Sequence, residues 1–201
     1  MMRNRFVLFA LPLFVFSGMF WSCKKGPEDP GISLRSRKAR ICGDWHIKSG
    51  NIGITLNDES KKTTLSDDYE ITASGCTIYE TPTSQQLTVY LMAYALQVKI
   101  LPDGTFNLEE QAGVDHLSAS GKWNFTSGIG EAKNKDGVYF KIDHVGMGST
   151  DKHLFNRFRT EFEFYINELR NKEMKLKISV KTFLDVSGSY ISHSGELTLM
   201  Q

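Results

Sequence analysis

Five histidines and three cysteines have the widest chemical reach in this 201-residue chain. His46, His116, His144, His153 and His193 show no H-x-x-x-H spacing, and no C-x-x-C accompanies them, so no zinc-type ligand set is written in. Asp115-His116 and Asp143-His144 set a carboxylate beside an imidazole. Neighbours on a strand point to opposite faces, so neither pair reads as an acid–base couple. Ser192-His193-Ser194 lacks the Gly-x-Ser-x-Gly elbow of a nucleophilic serine. Gly146-x-Gly148 with Ser149-Thr150 lacks the Gly-Lys-Ser/Thr of a phosphate loop. Asp58-Glu59 and Asp67-Asp68 lack the oxygen ladder of a calcium loop. Phe155-Asn156-Arg157-Phe158-Arg159 interleaves rings with guanidinium groups. That pattern serves RNA, sugar or protein contact, or simply sets solvated arginines beside core rings. The expectation is no catalytic residue, no metal and no cofactor, hence no enzyme. The remaining chemistry belongs to the thiols of Cys23, Cys42 and Cys76.

Cys23 closes a leader. Arg3 and Arg5 precede the apolar run 6–16, which Ser17-Gly18 break before Met19-Phe20-Trp21-Ser22-Cys23. Charge, apolar run, turn and cleavage site in that order read as a secretory signal over residues 1–22. The run is too short for a bilayer span of about 20 residues, and Pro12 sits inside it. Ser22 before Cys23 makes the segment resemble a bacterial lipoprotein signal, with Phe20 replacing the usual Leu and Trp21 bulkier than is typical. The resemblance implies that Cys23 becomes the lipidated first residue. Residues 23–32 are polar, with two Pro, two Gly (Gly26 and Gly31) and the acidic pair Glu28-Asp29, and read as a flexible tether. Lys24 stands where an Asp resembles an inner-membrane retention signal, so the resemblance implies the outer membrane. Glu28-Asp29 is similar to acidic signals that carry some lipoproteins to the cell surface.

Composition bounds what the tether holds. Without the leader the chain keeps 179 residues, and its 24 basic residues fall to 22 against 23 acidic ones. One domain of ordinary size over residues 33–201 fits that length. A near-neutral balance argues against a general nucleic-acid binder. With Cys23 lipidated, Cys42 and Cys76 remain, and an exported chain can join them in a disulfide. The alternative is two separate small buried residues.

The elements that would position any site are almost all strands. Residues 33–41 are basic and suit a short helix. Trp45 and Ile47, then Ile52, Ile54 and Leu56, alternate with polar residues as in a half-buried strand. Further strands are expected over 64–72, 76–80, 117–125, 138–142 and 190–200, with a helical turn near 152–157. In 87–101, Leu87, Val89 and Leu91 share one face while Leu96, Val98 and Ile100 share the other. A period-2 strand changes face only through an extra residue, which predicts a bulge near Ala93-Tyr94-Ala95; a helix over 90–96 competes. Asp103-Gly104 predicts a hairpin with a type I′ turn. Phe162, Phe164 and Ile166, then Met174, Leu176, Ile178 and Val180, form a second hairpin with one buried and one wet face. Its glutamates and lysines can pair there, each pair worth under about 1 kcal/mol. The sum is an all-β antiparallel meander of about eight to ten strands with little helix, closed as a barrel or packed as a sandwich.

Gly43-Asp44-Trp45, opening the first strand behind a short helix, resembles the G-x-W motif of the lipocalins. Leu101-Pro102-Asp103-Gly104-Thr105-Phe106 followed by Gly121-Lys122-Trp123 is similar to small lipocalin-like lipoproteins of diderm bacteria. The resemblance implies a lipocalin-like barrel with Trp45 packed across its closed end. Two features depart from it: the last Arg is Arg170, and the chain ends in a strand rather than a helix. An eight-strand barrel of this kind holds one small apolar ligand, with Trp45, Tyr90, Met92, Tyr94, Trp123, Phe162 and Phe164 as the expected lining. The competing expectation is an adaptor lipoprotein that docks a membrane or surface protein complex and carries no small ligand.

Overall fold

The computed structural model describes residues 35–81, 87–126, 136–146, 152–158, 160–184 and 188–201. The leader, Cys23 and the tether lie outside these residues.

A short helix α1 (Arg37–Ile41) leads into β1 (Gly43–Asp58). Ser36 caps the helix by accepting the Ala39 amide at 3.1 Å. Ten strands follow: β2 (Thr63–Thr72), β3 (Gly75–Thr81), β4 (Thr88–Met92), β5 (Tyr94–Ile100), β6 (Thr105–Ala112), β7 (Asp115–Thr126), β8 (Gly137–Val145), β9 (Glu161–Leu169), β10 (Glu173–Phe183) and β11 (Tyr190–Met200). A second helical turn, α2 (Leu154–Arg157), lies between β8 and β9. Every pairing is antiparallel. The expected all-β antiparallel meander with little helix is the observed architecture.

β1 decides the closure. Its start pairs with β5, from Gly43↔Ile100 to His46↔Gln97. Beyond Gly50 the same side pairs with β2, while the other side pairs with β11 from His46↔Met200 to Asn57↔Tyr190. Eight strands, β1 and β5 to β11, therefore close into a barrel, and β2, β3 and β4 extend the sheet where β1 parts from β5. Closure pairs the two ends of the eight-strand run to each other, while the added strands end at β4. Two glycines let strands approach. A Cβ on Gly195 would lie 1.9 Å from the Asn51 carbonyl oxygen at φ +140°, and one on Gly121 would lie 1.9 Å from the Lys141 oxygen.

The alternation read from the sequence becomes the burial pattern. Ile52, Ile54, Tyr69, Ile71, Leu96, Val98, Ile100, Phe106, Leu108, Phe140, Phe162, Phe164, Leu176, Ile178, Leu197 and Leu199 all face the core. The 87–101 segment behaves otherwise than its composition suggests. The chain breaks at Ala93, between β4 and β5, and no helix forms there. Yet even-numbered residues face inward on both sides of the break, so the faces do not switch. Leu87, Val89 and Leu91 are instead exposed. The neighbours explain it: Cys76 and Ile78 on β3, opposite Met92 and Tyr90, already point inward and fix the phase.

The Asp103-Gly104 hairpin forms with a different turn. Only Gly104 has positive φ (+92°), whereas type I′ needs two such residues. Asp103 accepts from the Thr105 amide at 2.9 Å and its hydroxyl at 2.7 Å, which holds a longer turn closed by Leu101 N–H to Thr105 O at 2.9 Å.

Candidate functional site

One end of the barrel is sealed by α1. The Trp45 side chain is fully buried, and its indole N–H donates to the Ile41 carbonyl at 2.7 Å. Arg40, buried on the same helix, donates to the Leu169 carbonyl, and Arg37 pairs with Asp136 at 3.1 Å. Trp123 does at the β5–β6 turn what Trp45 does at the helix: its indole donates to Leu101 O at 2.8 Å. Each tryptophan thus covers apolar space while its indole N–H finds a carbonyl acceptor; Leu101 O also accepts from the Gly104 amide at 3.2 Å.

The other end is filled from the β8–β9 connection. Leu154, Phe155 and Phe158 are all buried there. Phe155 and Phe158 stack into an aromatic column, with ring centroids 5.4 and 5.2 Å from Phe162, which in turn lies 5.3 Å from Phe140; Phe140 is 5.1 Å from Phe106. Such pairs add about 0.5–1.5 kcal/mol each beyond their buried area. The central cavity is about 20 Å³ with an apolar lining, room for roughly one water, and a second space of about 40 Å³ lies beside Phe158, Phe162, Ile178 and His193.

A polar cluster holds that connection in place. Glu110 is wholly buried on β6. Its carboxylate accepts the Leu154 amide at 2.6 Å, the Phe155 amide at 3.0 Å and the Tyr94 hydroxyl at 2.8 Å. Burial pushes the Glu110 carboxyl up to about 7, against the pull of those three donors. Arg157 pairs with Asp67 of β2 at 2.9 Å and also reaches the Tyr69 hydroxyl. The Arg157 carbonyl lies 3.1 Å from His193 Nε2; a carbonyl only accepts, so Nε2 carries the proton. His193 also stacks on Phe158 at 4.9 Å. Burial raises Tyr69 and Cys76 to about 12 and holds Tyr94 well above its ordinary value.

The residues expected to line one ligand pocket are split. Phe162 and Phe164 border the central cavity. Trp45 and Trp123 are hydrogen-bonded fixtures of the strand ends near α1 and the β5–β6 turn. Tyr90 and Met92 lie on β4 outside the closed barrel, Tyr90 beneath the Lys152 ammonium at 4.4 Å, and Tyr94 belongs to the Glu110 cluster. The lining departs from expectation because β4 leaves the barrel and α2 enters it. Sequence reasoning missed Glu110, although it continues the inward phase of Phe106 and Leu108, and a charge in that phase is the signal that marks it.

Cys42 and Cys76 are free thiols, as in the alternative of two separate residues rather than the possible disulfide. From Cys42 the path runs along β1 to Gly50, then across Ile71 to Cys76. That is about 25 Å along the sheet at roughly 3.3 Å per residue, against under ~7 Å between bonded cysteines.

The ring-and-guanidinium run at 155–159 resolves toward the core, since Phe155 and Phe158 are buried and Arg157 is paired; Arg159 lies outside the described residues. Among the described residues no three His, Cys, Asp or Glu side chains gather as a metal site. Asp58 accepts instead from Ser60 and Lys61. An open polar cleft of about 650 Å³ crosses the outer face of β5 and β6. Its groups are largely partnered with their neighbours: Gln97 donates to Asp44 at 2.7 Å and His116 meets Glu109 at 2.7 Å.

The apolar side chains that the barrel does not cover collect on the added strands. Leu87, Val89 and Leu91 are 54, 51 and 82% exposed. β4 ends the strand order, with no strand of the described residues on its outer edge. The Gly113 amide donates to Ala93 O at 2.8 Å, which brings the β6–β7 turn and the 98% exposed Val114 alongside. β2, β3 and β4 carry Asp67, Asp68, Glu70 and Glu80 and no Lys or Arg.

No protein-family model, curated protein or solved structure matches this chain.

Proposed function

We propose that this chain is an exported, lipid-anchored barrel of lipocalin-like build that works as a docking module. Its partner contributes an extended segment, alternating apolar and basic side chains, which adds to the edge of β4. The observation that carries this reading is the open β4 edge with Leu87, Val89 and Leu91 turned to solvent. An edge strand is normally blunted by Lys, Pro or a bulge, and β4 contains none of these. Strand addition supplies main-chain hydrogen bonds, and alternate side chains supply choice. Outward-facing Asp68 and Glu70 on β2, separated from β4 by β3, favour a basic partner on this face. The anchor at Cys23 and the tether over 23–32 support the same reading, because a docking module held at a membrane meets its partners at high local concentration.

The test uses the purified chain and two synthetic peptides, one alternating Val with Lys and one alternating Val with Glu. Hydrogen exchange is followed at the β4 amides. Protection by the lysine peptide alone, lost in Val89→Lys/Leu91→Lys, supports docking. Equal behaviour of both peptides, or none binding, overturns it.

A second reading is carriage of a small apolar ligand within the barrel. It is favoured by one observation: the end opposite α1 is closed by a connection held through side-chain contacts rather than by strand pairing. Retention of bound small molecules by the purified protein, read by native mass spectrometry, tests it.

A further inference from the structure

The segment 154–158 has the composition of a ligand. It brings two aromatic rings, Phe155 and Phe158, and one apolar side chain, Leu154, into the barrel. It brings one cation, Arg157, to the rim, and it brings two N–H donors to one carboxylate. Each of these is met by a group that stays behind on the barrel wall or the added strands. The rings meet Phe162, Phe164 and His193. The guanidinium meets Asp67 and Tyr69. The donors meet Glu110, which Tyr94 supports from β5.

We propose that this segment occupies a binding site for an aromatic amine and that such a molecule displaces it, the ring entering among Phe140, Phe162 and Phe164 and the ammonium group taking the place of Arg157 and the two amides between Asp67 and Glu110. The proposal rests on the reading of the barrel as a carrier and is independent of docking at β4.

Three arguments select the ligand class. Withdrawing the segment removes its cation and leaves two carboxylates, with the Tyr69 and Tyr94 hydroxyls, around one opening. Glu110 is buried and Asp67 half-buried, and carboxylates so placed are costly without a partner, so an entering molecule must carry donors or positive charge, and an anionic amphiphile is rejected. Removing two phenyl rings and an isobutyl group beside the cavity of about 20 Å³ opens space near the ~300 Å³ at which ligand pockets begin, enough for one or two fused rings. The lining is aromatic, which suits a ring and a cation together. Displacement is feasible because the segment is a single helical turn whose backbone meets the wall through the side chains of Glu110 and His193.

The experiment titrates the wild-type chain at pH 8 with three probes sharing one ring system: 1-naphthylmethylamine, 1-naphthalenemethanol and 1-naphthylacetate. Calorimetry reads affinity, and hydrogen exchange reads the Leu154 and Phe155 amides. The expected result is that the amine binds at least tenfold tighter than the acetate and speeds exchange at those two amides. Glu110→Gln should bring the amine and alcohol to within about threefold of each other. Equal affinity for all three probes overturns the assignment of Glu110 and Asp67 while leaving apolar carriage standing. No binding of any probe overturns carriage together with the proposal. Amine binding without faster exchange at Leu154 and Phe155 overturns displacement.

Discussion

Glu110 Oε1 accepts the Leu154 amide at 2.6 Å, joining β6 to a helical turn 44 residues further along the chain. The bond places a carboxylate in an apolar interior and makes it the point on which the filled end of the barrel depends. The native state holds a proton on this group up to about pH 7, whereas the unfolded chain releases it near 4.5. Between those values unfolding releases a proton, so the stability Glu110 contributes is complete below about pH 4.5 and is lost as pH rises through about 7. The groups facing it are Tyr94, Tyr69 and Cys76, all raised and neutral in this window, with Arg157 and Asp67 paired to each other. Glu168, and the exposed Asp58 and Asp103, are lowered and act with the opposite sign at more acidic pH. The unfolding free energy of wild type minus that of Glu110→Gln is expected to fall steadily from pH 4.5 to 7.5 in urea titrations. A difference that does not vary with pH contradicts this account.

Trp45 and Trp123 should answer differently to size and to hydrogen bonding. Trp45→Phe leaves the Ile41 carbonyl without its indole donor and costs about 1–3 kcal/mol. Trp45→Ala adds a cavity under α1 and costs about 3–5 kcal/mol. Trp123→Phe exposes Leu101 O near a turn that water can reach, so its cost falls below that of Trp45→Phe. Urea midpoints at constant m-value rank the three variants.

The sheet makes a sharper demand at two glycines. Gly195→Ala and Gly121→Ala each drive a Cβ to 1.9 Å from a carbonyl oxygen of the adjacent strand, Asn51 or Lys141. The backbone must move, and the expected cost is about 2 kcal/mol or more at each site. At Gly195 the +140° φ adds to it. Gly104→Ala meets nothing closer than 3.7 Å and pays only for its φ of +92°, so it should be the mildest of the three by thermal melting.

Thiol chemistry separates the two cysteines. Cys76 is buried and held up to about 12, while Cys42 is half-buried and also raised. A disulfide-exchange reagent at pH 8 should label Cys42 slowly and Cys76 only on unfolding. Mobility under reducing and non-reducing conditions should be identical. A reduction-sensitive monomer would contradict two free thiols.

Local alternation carried most of the strand assignment. Residues such as Phe162, Phe164, Leu176 and Ile178 report their face through their immediate neighbours, and a turn such as Asp103-Gly104 reports itself. The segment 87–101 shows where that information ends. Its odd-numbered Leu87, Val89 and Leu91 are as apolar as Leu96 or Val98, and only pairing with β3 assigns them to the outside. The free state of Cys42 and Cys76 is likewise a matter of register, since two thiols in a list carry no distance.

The sequence by itself determined a chain of short antiparallel strands with little helix and a near-neutral charge, because the first depends on residues a few positions apart and the second on composition alone. Tertiary structure decided which strands close the barrel, through β1 pairing with β11 across about 150 residues, and whether the interior is empty. The central cavity shrinks to about 20 Å³ only because Phe155 and Phe158 fold back from the β8–β9 connection onto Phe162. Packing of that kind is a property of side chains far apart in the chain meeting in space, and no periodicity within a strand encodes it.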